Sequence, residues 1–312
     1  MKALLPVLAL ALFFTHAASA QSEQPPQQPQ AENSASNDPE IVVRGDVSLR
    51  ERRAQLREMV TDIVNVPRDG RTVATYFEAI CPRVIGLPEA ESRVIEERIS
   101  QNAEALGANR RDPRKNCKHN LTVIFVPATK GPPAAWIKDD NDMIRHLLSY
   151  QRNEVLNDSD PVRAWTINEV RGVDGAPQRN NTGQRILGPL NVNNMVRLGS
   201  RMRRNSTTEI TGSVVMFELA SANGKTLAQL ADYASMRTFG NVRSLAPDVD
   251  PAAETILTLF RDEDPPEGLT TFDRAVISKM YDTSRNSLAN RYYTGIATRA
   301  LNMEQEEREG RP

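Results

Sequence analysis

Two acidic residues are the candidates for catalysis in this sequence. Asp232 lies in residues 225–239, where apolar side chains recur at helical spacing, and Asp273 lies near the start of a second such segment, residues 270–281. A carboxylate that folding brings into a cleft can act as a general acid or base. Asp273 equally suits the positive end of a helix dipole, which is a structural role. The two acids are therefore weak candidates for a hydrolytic site.

The sequence offers little else that performs chemistry. After residue 20 its only histidines are His119 and His146, which fall in different predicted elements and form no paired-ligand spacing. The acidic clusters at residues 139–142 and 262–264 lack the glycine turn and distal glutamate of a calcium-binding EF-hand loop. Neither a nucleophile elbow nor a glycine-rich phosphate loop occurs. We therefore predict no metal and no cofactor.

Basic side chains are the candidate binding residues: Arg197, Arg201, Arg203, Arg204 and Arg274. The first four fall on a predicted hairpin, where they could bind a phosphate, an anionic envelope polymer or an acidic peptide. The alternative is a solvated strand edge whose charges discourage pairing with other strands. The fifth could pair with a carboxylate on a neighbouring helix. The formal net charge is −1 and aromatic residues do not alternate with these arginines, so nucleic acid is not an expected partner.

The first twenty residues predict export. Lys2 precedes an apolar run at residues 3–14, and Ala18, Ser19 and Ala20 are the small residues that a signal peptidase requires. The run is shorter than the roughly 20 apolar residues that span a bilayer, and no later stretch qualifies as a transmembrane segment. We expect cleavage after Ala20 and a soluble protein that is periplasmic or secreted.

Cys81 and Cys117 are the only cysteines. In an oxidising compartment such a pair predicts one disulfide, which would close a long loop. Two separate buried thiols are the alternative.

The rest of the chain predicts one folded domain. Residues 21–39 are rich in proline and glutamine and predict a disordered tether. Residues 40–303 predict a single α+β domain, because helices and strands interleave first and helices cluster last, which favours a mixed sheet with packed helices and a helical C-terminal part. The nearly continuous apolar run at residues 120–126 predicts a strand in the centre of that sheet. Residues 304–312 predict a frayed, charged tail.

Apolar spacing also places several individual elements. It predicts one helix over residues 134–150 and a strand over residues 162–173. It predicts two further strands, over residues 196–203 and 209–219, joined by a polar turn at residues 204–207.

Several short motifs resemble those of a group of uncharacterised exported proteins of Gram-negative bacteria. They are Cys81-Pro82 followed by Gly86-Leu87-Pro88, the strand at residues 120–125, the sequence Leu-Ala-Asp-Tyr-Ala at residues 230–234, and residues 269–275 with Met280-Tyr281. The resemblance covers residues 72–303. It implies no established activity.

The order of elements is also similar to that of zincin-like peptidases, in which the helix after the last strand carries the zinc ligands. Here that helix would be residues 225–239, which contain no histidine. Only Asp232 stands where such a family has its acidic base. The resemblance therefore implies a related scaffold that has lost zinc hydrolysis.

These observations leave two hypotheses about function. The first is a non-catalytic envelope protein that binds a peptide, a polymer or a protein partner. The alternative is a hydrolase on a degenerate peptidase-like scaffold that uses carboxylates such as Asp232 or Asp273 in a cleft.

Overall fold

The computed structural model describes residues 47–66, 72–109, 117–158, 160–172, 174–177 and 203–310. Within these residues seven α-helices pack around one mixed sheet of five strands, which confirms the predicted α+β class. The strands are β1 (Ala74–Tyr76), β2 (Pro82–Ile85), β3 (Leu121–Val126), β4 (Val162–Gly172) and β5 (Ser206–Glu218). The helices are α1 (Leu49–Ile63), α2 (Glu89–Ala105), α3 (Pro133–Asp139), α4 (Ser149–Asn157), α5 (Leu227–Thr238), α6 (Thr271–Asp282) and α7 (Ala289–Arg308).

Strand β5 organises the sheet. Along one edge it pairs with antiparallel β4, from Phe217 opposite Val162 to Ser206 opposite Gly172. Along its other edge it meets two parallel strands in succession, first β1 and then β3, so these two strands occupy one position in the sheet end to end. Strand β2 continues the sheet beyond β3. The predicted central strand is confirmed as β3, because it has neighbours on both sides.

The two faces of the sheet carry cores of different size. Side chains alternate between the faces along each strand. Phe125 and Phe217 point to the larger core, which α1, α2, α5, α6 and α7 complete, and their rings stack with centroids 5.1 Å apart. Trp165 and Met216 point to the smaller core on the opposite face, where Ile137 of α3 and Val155 of α4 cover them.

The single helix predicted over residues 134–150 is wrong. Helix α3 ends at Asp139, a 3₁₀ turn covers Asn141–Met143, and α4 begins only at Ser149. Asp140 leaves helical geometry with φ −110° and ψ 74°. Short acidic and amide side chains disfavour the interior of a helix, because they can compete for its backbone hydrogen bonds, so a run of Asp and Asn favours an interruption here.

The predicted turn at residues 204–207 and the predicted tail also differ from the structure. The predicted strand over residues 196–203 lies, except for Arg203, outside the described residues. Ser206 and Thr207, expected in a turn, begin β5 and lie opposite Gly172 and Arg171 of β4. Strand β4, which comes earlier in the chain, is long and antiparallel to β5. Pairing with β4 extends β5 into the residues of the predicted turn. The predicted frayed tail belongs in large part to α7, which continues to Arg308.

An ion pair helps to hold the end of α7. Arg52 of α1 donates to both carboxylate oxygens of Glu304, at 3.0 and 2.6 Å. This contact lies across the packed pair α1 and α7, so the last charged segment is ordered by tertiary contacts.

The predicted signal peptide and the predicted tether lie outside the described residues. In the part of the chain that is described, the helices are all too short or too polar to cross a membrane.

The predicted disulfide between Cys81 and Cys117 is confirmed, with Cα atoms 5.8 Å apart. Asn120 fixes the chain next to it: the Cys81 N–H donates to Asn120 Oδ1 at 2.8 Å, and Asn120 Nδ2 donates to the Ala79 carbonyl at 2.9 Å. The bridge therefore ties the start of β2 to the segment that enters β3. It is consistent with an extracytoplasmic location, where disulfides persist.

Replacing both cysteines with alanine is expected to lower the free energy of unfolding by up to about 4 kcal/mol, because the 36-residue separation gives the unfolded chain a long open loop. Urea denaturation of the variant and the wild type measures the difference. Wild-type protein in a reducing agent is the control and should match the variant. Equal urea midpoints for oxidised wild type and variant would contradict the assigned role.

Candidate ligand-binding cleft

A cleft of about 750 Å³ opens between β4, helix α4 and the C-terminal ends of α1 and α5. Helix α1 contributes its last turn, α4 residues from Tyr150 to Asn157, and α5 its last turn together with the loop that follows. This volume lies within the roughly 300–1,000 Å³ that ligand sites usually have. The walls come from five separate parts of the chain, one of them Ala74 of β1, so the cleft exists only in the folded domain.

Amide side chains provide much of the polar lining. They are Asn65, Gln151, Asn153, Asn157, Asn168 and Asn241. An amide has two N–H donors and an acceptor oxygen, which suits a ligand whose own donors and acceptors alternate. Three of the six already form one bond within the protein: Asn65 Oδ1 accepts from Arg243, Gln151 Oε1 accepts from the Leu148 N–H, and Asn241 Nδ2 donates to the Ala74 carbonyl. Of the described lining residues none is a histidine or a cysteine, and the one serine, Ser244, donates its hydroxyl to Asp158 at 2.8 Å. The lining is equipped to form hydrogen bonds.

The cleft lies along one edge of strand β4. Three successive residues, Ala164, Trp165 and Thr166, all line the cleft. Successive strand residues point to opposite faces of a sheet, and Ala164 packs against the larger core whereas Trp165 belongs to the smaller one. A cavity that reaches side chains of both faces must pass around the edge of the strand.

Three polar atoms behind the cleft wall lack hydrogen-bond partners in the described part of the chain. They are two donors, Trp165 Nε1 and Arg237 Nε, and one acceptor, Asn168 Oδ1. The three atoms are shielded from solvent although their residues line the cleft. An unpaired buried polar group costs about 1–3 kcal/mol, so a small movement that gave any of these atoms a partner would be favourable.

The wall opposite β4 is held by main-chain contacts between α1 and the loop after α5. The Asn65 N–H donates to the Asn241 carbonyl at 2.9 Å, and the Arg243 N–H donates to the Ile63 carbonyl at 2.7 Å. Asn241 adopts a positive φ of 49°, which asparagine tolerates better than most residues, and its amide donates to the Ala74 carbonyl. The end of α1 is thereby fixed against β1.

A buried ionic network supports the floor of the cleft. Arg237 of α5 donates to the Tyr233 hydroxyl at 2.7 Å and pairs with Asp158 and Asp160 at 3.3 and 3.5 Å. The Tyr233 hydroxyl donates to Asp160 at 2.8 Å. Burial raises the pKa of Asp160 above its usual value, while the nearby Arg237 charge opposes that rise. Arg163 donates to the Asp160 main-chain carbonyl and adds a second positive charge beside the two acids, so the network contains two charges of each sign.

Asp232 is fully buried and does not line the cleft. Arg98 of α2 binds it with two hydrogen bonds of 2.8 Å, Asn102 donates at 2.6 Å, and the Leu269 N–H donates at 3.0 Å. A Cβ on Gly268 would lie 2.6 Å from Asp232 Oδ2, so the chain passes very close to the carboxylate. These contacts join α2, α5 and the start of α6, and they occupy both carboxylate oxygens.

Asp273 is also fully buried and serves the start of α6. Its carboxylate accepts from the Thr255 hydroxyl at 2.6 Å and from the N–H groups of Ile256 and Thr270 at 2.8 and 3.0 Å. Thr270 completes a reciprocal cap by accepting from the Asp273 N–H. Burial raises the pKa of Asp273 to about 6, against the effect of these hydrogen bonds. Neither Asp273 nor Asp232 lines the cleft.

The candidate binding arginines are spread over the surface. Arg197 and Arg201 lie outside the described residues. Arg203 forms an isolated antiparallel bridge with Ser287, and the Arg204 N–H donates to the Asn286 carbonyl, so both flank the segment after α6. Arg274 is exposed in the first turn of α6, at the other end of that helix. None of the three described arginines lines the cleft.

Folding also creates a carboxylate pair that the sequence analysis missed. Glu169 of β4 and Glu209 of β5 lie directly opposite each other and are each 2 % exposed. Arg171 pairs with both acids. Burial raises the pKa of Glu209, and the Arg171 charge opposes the rise. The pair lies outside the cleft. In the sequence, the only sign of this pair was a glutamate within each of two predicted strands. The two glutamates become neighbours only through the register of β4 and β5.

The acidic clusters at residues 139–142 and 262–264 form no metal site. Across the described residues, no group of three or more histidine, cysteine or acidic side chains is placed to hold a metal ion.

Neither a family model, nor a curated protein, nor a solved structure matches this chain. The function must therefore be argued from the cleft itself.

Proposed function

We propose that this chain is an exported, non-catalytic binding protein whose cleft holds a peptide segment of an envelope partner. Signal-peptide cleavage after Ala20 would deliver it to the periplasm or the exterior, and the disulfide between Cys81 and Cys117 supports that location. The observation that carries the proposal is the cleft lined by six amide side chains beside the edge of β4. A peptide main chain presents the alternating donors and acceptors that such a lining can bind.

Binding is favoured over the alternative, hydrolysis, by the positions of the acids. Asp232 and Asp273 are saturated by hydrogen bonds that hold helices together, and neither reaches the cleft. Of the three acids that do line it, Asp158 is paired with Arg237 and accepts from Ser244, whereas Asp62 and Glu154 lie on different helices, α1 and α4. An acid that is fully paired is poorly placed to exchange protons with a substrate.

Selection from a display library of random linear heptapeptides tests the proposal. The wild-type protein is expected to enrich a related set of sequences. The variant Ala246→Trp, which puts a large side chain on an exposed residue of the cleft wall, should bind those peptides at least about tenfold more weakly.

The matched control is Ala220→Trp, which changes an exposed alanine in the turn after β5 that does not line the cleft. It should bind as the wild type does. No enrichment above an uncoated surface, or equal loss in the two tryptophan variants, would reject the cleft as the binding site.

A further inference from the structure

A second hollow, of about 760 Å³, lies between the end of α6, the connection that follows it and one face of α7. It shares no described lining residue with the cleft. Its ionisable lining residues in the described part of the chain are Lys279, Asp282, Arg291 and Arg299. Three basic side chains against one acid leave a net charge of +2, so we call this hollow the basic groove.

The basic side chains of the groove are grouped around Gly295. On α7, Arg291 precedes this glycine by one turn and Arg299 follows it by one turn, so the three residues share one face of the helix. A Cβ on Gly295 would lie 3.0 Å from Lys279 Cε, so the lysine of α6 lies across the glycine. The two arginines are therefore attached within about 6 Å of this point along the helix axis.

The two arginines are available to a ligand. Arg291 and Arg299 are exposed, and neither has an ion pair or a side-chain hydrogen bond to another described residue. Lys279, by contrast, pairs with Asp282 at 2.7 Å. A guanidinium can bind phosphate through two parallel N–H···O bonds. Hydroxyl groups, which can donate to further phosphate oxygens, come from three lining residues: Ser284, Thr294 and Thr298.

The charge at the start of α7 opposes the helix dipole. The positive end of a helix favours acids, yet the first turn of α7 contains Arg291 and no acid. The N-cap residue is Leu288, whose side chain gives no hydrogen bond to the first N–H groups of the helix. Residues 289–303 contain two arginines and no acid. An arrangement that weakens a helix in this way is typical of functional sites, and here it would favour a bound anion.

We infer that the basic groove binds a phosphate group, either as the free ion or as a phosphate monoester. Such a group carries a charge of about −1.5 to −2 at neutral pH, which matches the charge of the groove better than the single charge of a carboxylate does. The phosphate lies between the guanidinium groups of Arg291 and Arg299, near Gly295 and the Lys279 ammonium. This site is independent of peptide binding in the cleft.

Calorimetric titration of the purified protein with inorganic phosphate tests the inference. The variants Arg291→Gln and Arg299→Gln should each bind phosphate at least about fivefold more weakly than the wild type, and the remaining affinity should fall with added salt. Acetate, a monoanion, should bind the wild type at least about tenfold more weakly than phosphate does.

Arg274→Gln is the matched control. It removes an equal charge from an exposed arginine in the first turn of α6 that does not line the groove, so phosphate affinity should change by less than about twofold. All three glutamine variants replace exposed side chains, and their urea midpoints should equal that of the wild type.

Titration with glycerol phosphate distinguishes the two sources of the phosphate group. Tighter binding of this ester than of the free ion supports a phosphate carried by a larger molecule, and weaker or equal binding supports the free ion. No binding of either probe, equal weakening in all three glutamine variants, or acetate that binds as tightly as phosphate would overturn the inference. None of these results depends on whether the cleft binds a peptide.

Discussion

Replacing Asp232 with alanine is expected to lower the free energy of unfolding by about 3–5 kcal/mol. The carboxylate is completely buried, and it is the partner of Arg98, Asn102 and the Leu269 N–H. Its removal leaves the buried Asn102 amide and the Leu269 N–H without their acceptor, and it unpairs the guanidinium of Arg98, whose side chain is 38 % exposed. The loss of the acceptor costs more than the original bonds contributed, because the two buried donors have been taken out of water.

Urea denaturation followed by circular dichroism measures this effect. Glu97→Ala is the matched control: it removes an acid from α2 next to Arg98, but Glu97 is exposed. We expect the control to change the unfolding free energy by less than about 0.5 kcal/mol. Equal stability of Asp232→Ala and wild type, together with a loss of peptide binding or of some hydrolytic activity, would contradict the structural role of Asp232.

Replacing Gly86 with alanine is expected to cost at least about 3 kcal/mol of stability. Gly86 follows β2 with a φ of +96°, and a Cβ there would lie 2.3 Å from the Phe125 carbonyl oxygen. The obstacle is backbone near the C-terminal end of β3, which the larger core holds in place through the stacked rings of Phe125 and Phe217. The added methyl group cannot be accommodated by moving a flexible side chain.

Gly107→Ala separates the clash from the backbone strain. Gly107 has a comparable φ of +74°, but a Cβ there would meet nothing within 4 Å. The expected cost is about 1–2 kcal/mol, which is the price of a left-handed conformation alone. Thermal or urea unfolding of the two variants gives the comparison. If the two variants lost the same amount of stability, the clash of a Cβ at Gly86 with β3 would not contribute to the cost of that substitution.

Elements with strong local signals could be predicted from the sequence. The continuous apolar run at residues 120–126 and the apolar spacing of residues 162–173 agree with the observed strands β3 and β4. The break between α3 and α4 was missed because apolar periodicity continues across it, whereas the break depends on the local competition of Asp140 and its neighbours with the helix. The start of β5 was missed because its residues are polar and become a strand only by pairing with β4.

The cleft could not be predicted, for a related reason. Asn65, Gln151, Asn168 and Asn241 come from four distant parts of the chain, and each one looks like an ordinary surface or capping residue. Only the sheet register and the packing of the helix ends place them around one cavity. The sequence analysis selected acids because acids can do chemistry, but Asp232 and Asp273 are used to join helices.

Hydrogen–deuterium exchange with and without the most enriched heptapeptide tests the central claim most directly. Binding in the cleft predicts slower exchange at residues 162–168 of β4, at residues 150–158 and at residues 241–249, with the rest of the domain unchanged. Slower exchange confined to the segment around Arg203, Arg204 and Ser287, with no change at β4, would contradict the claim.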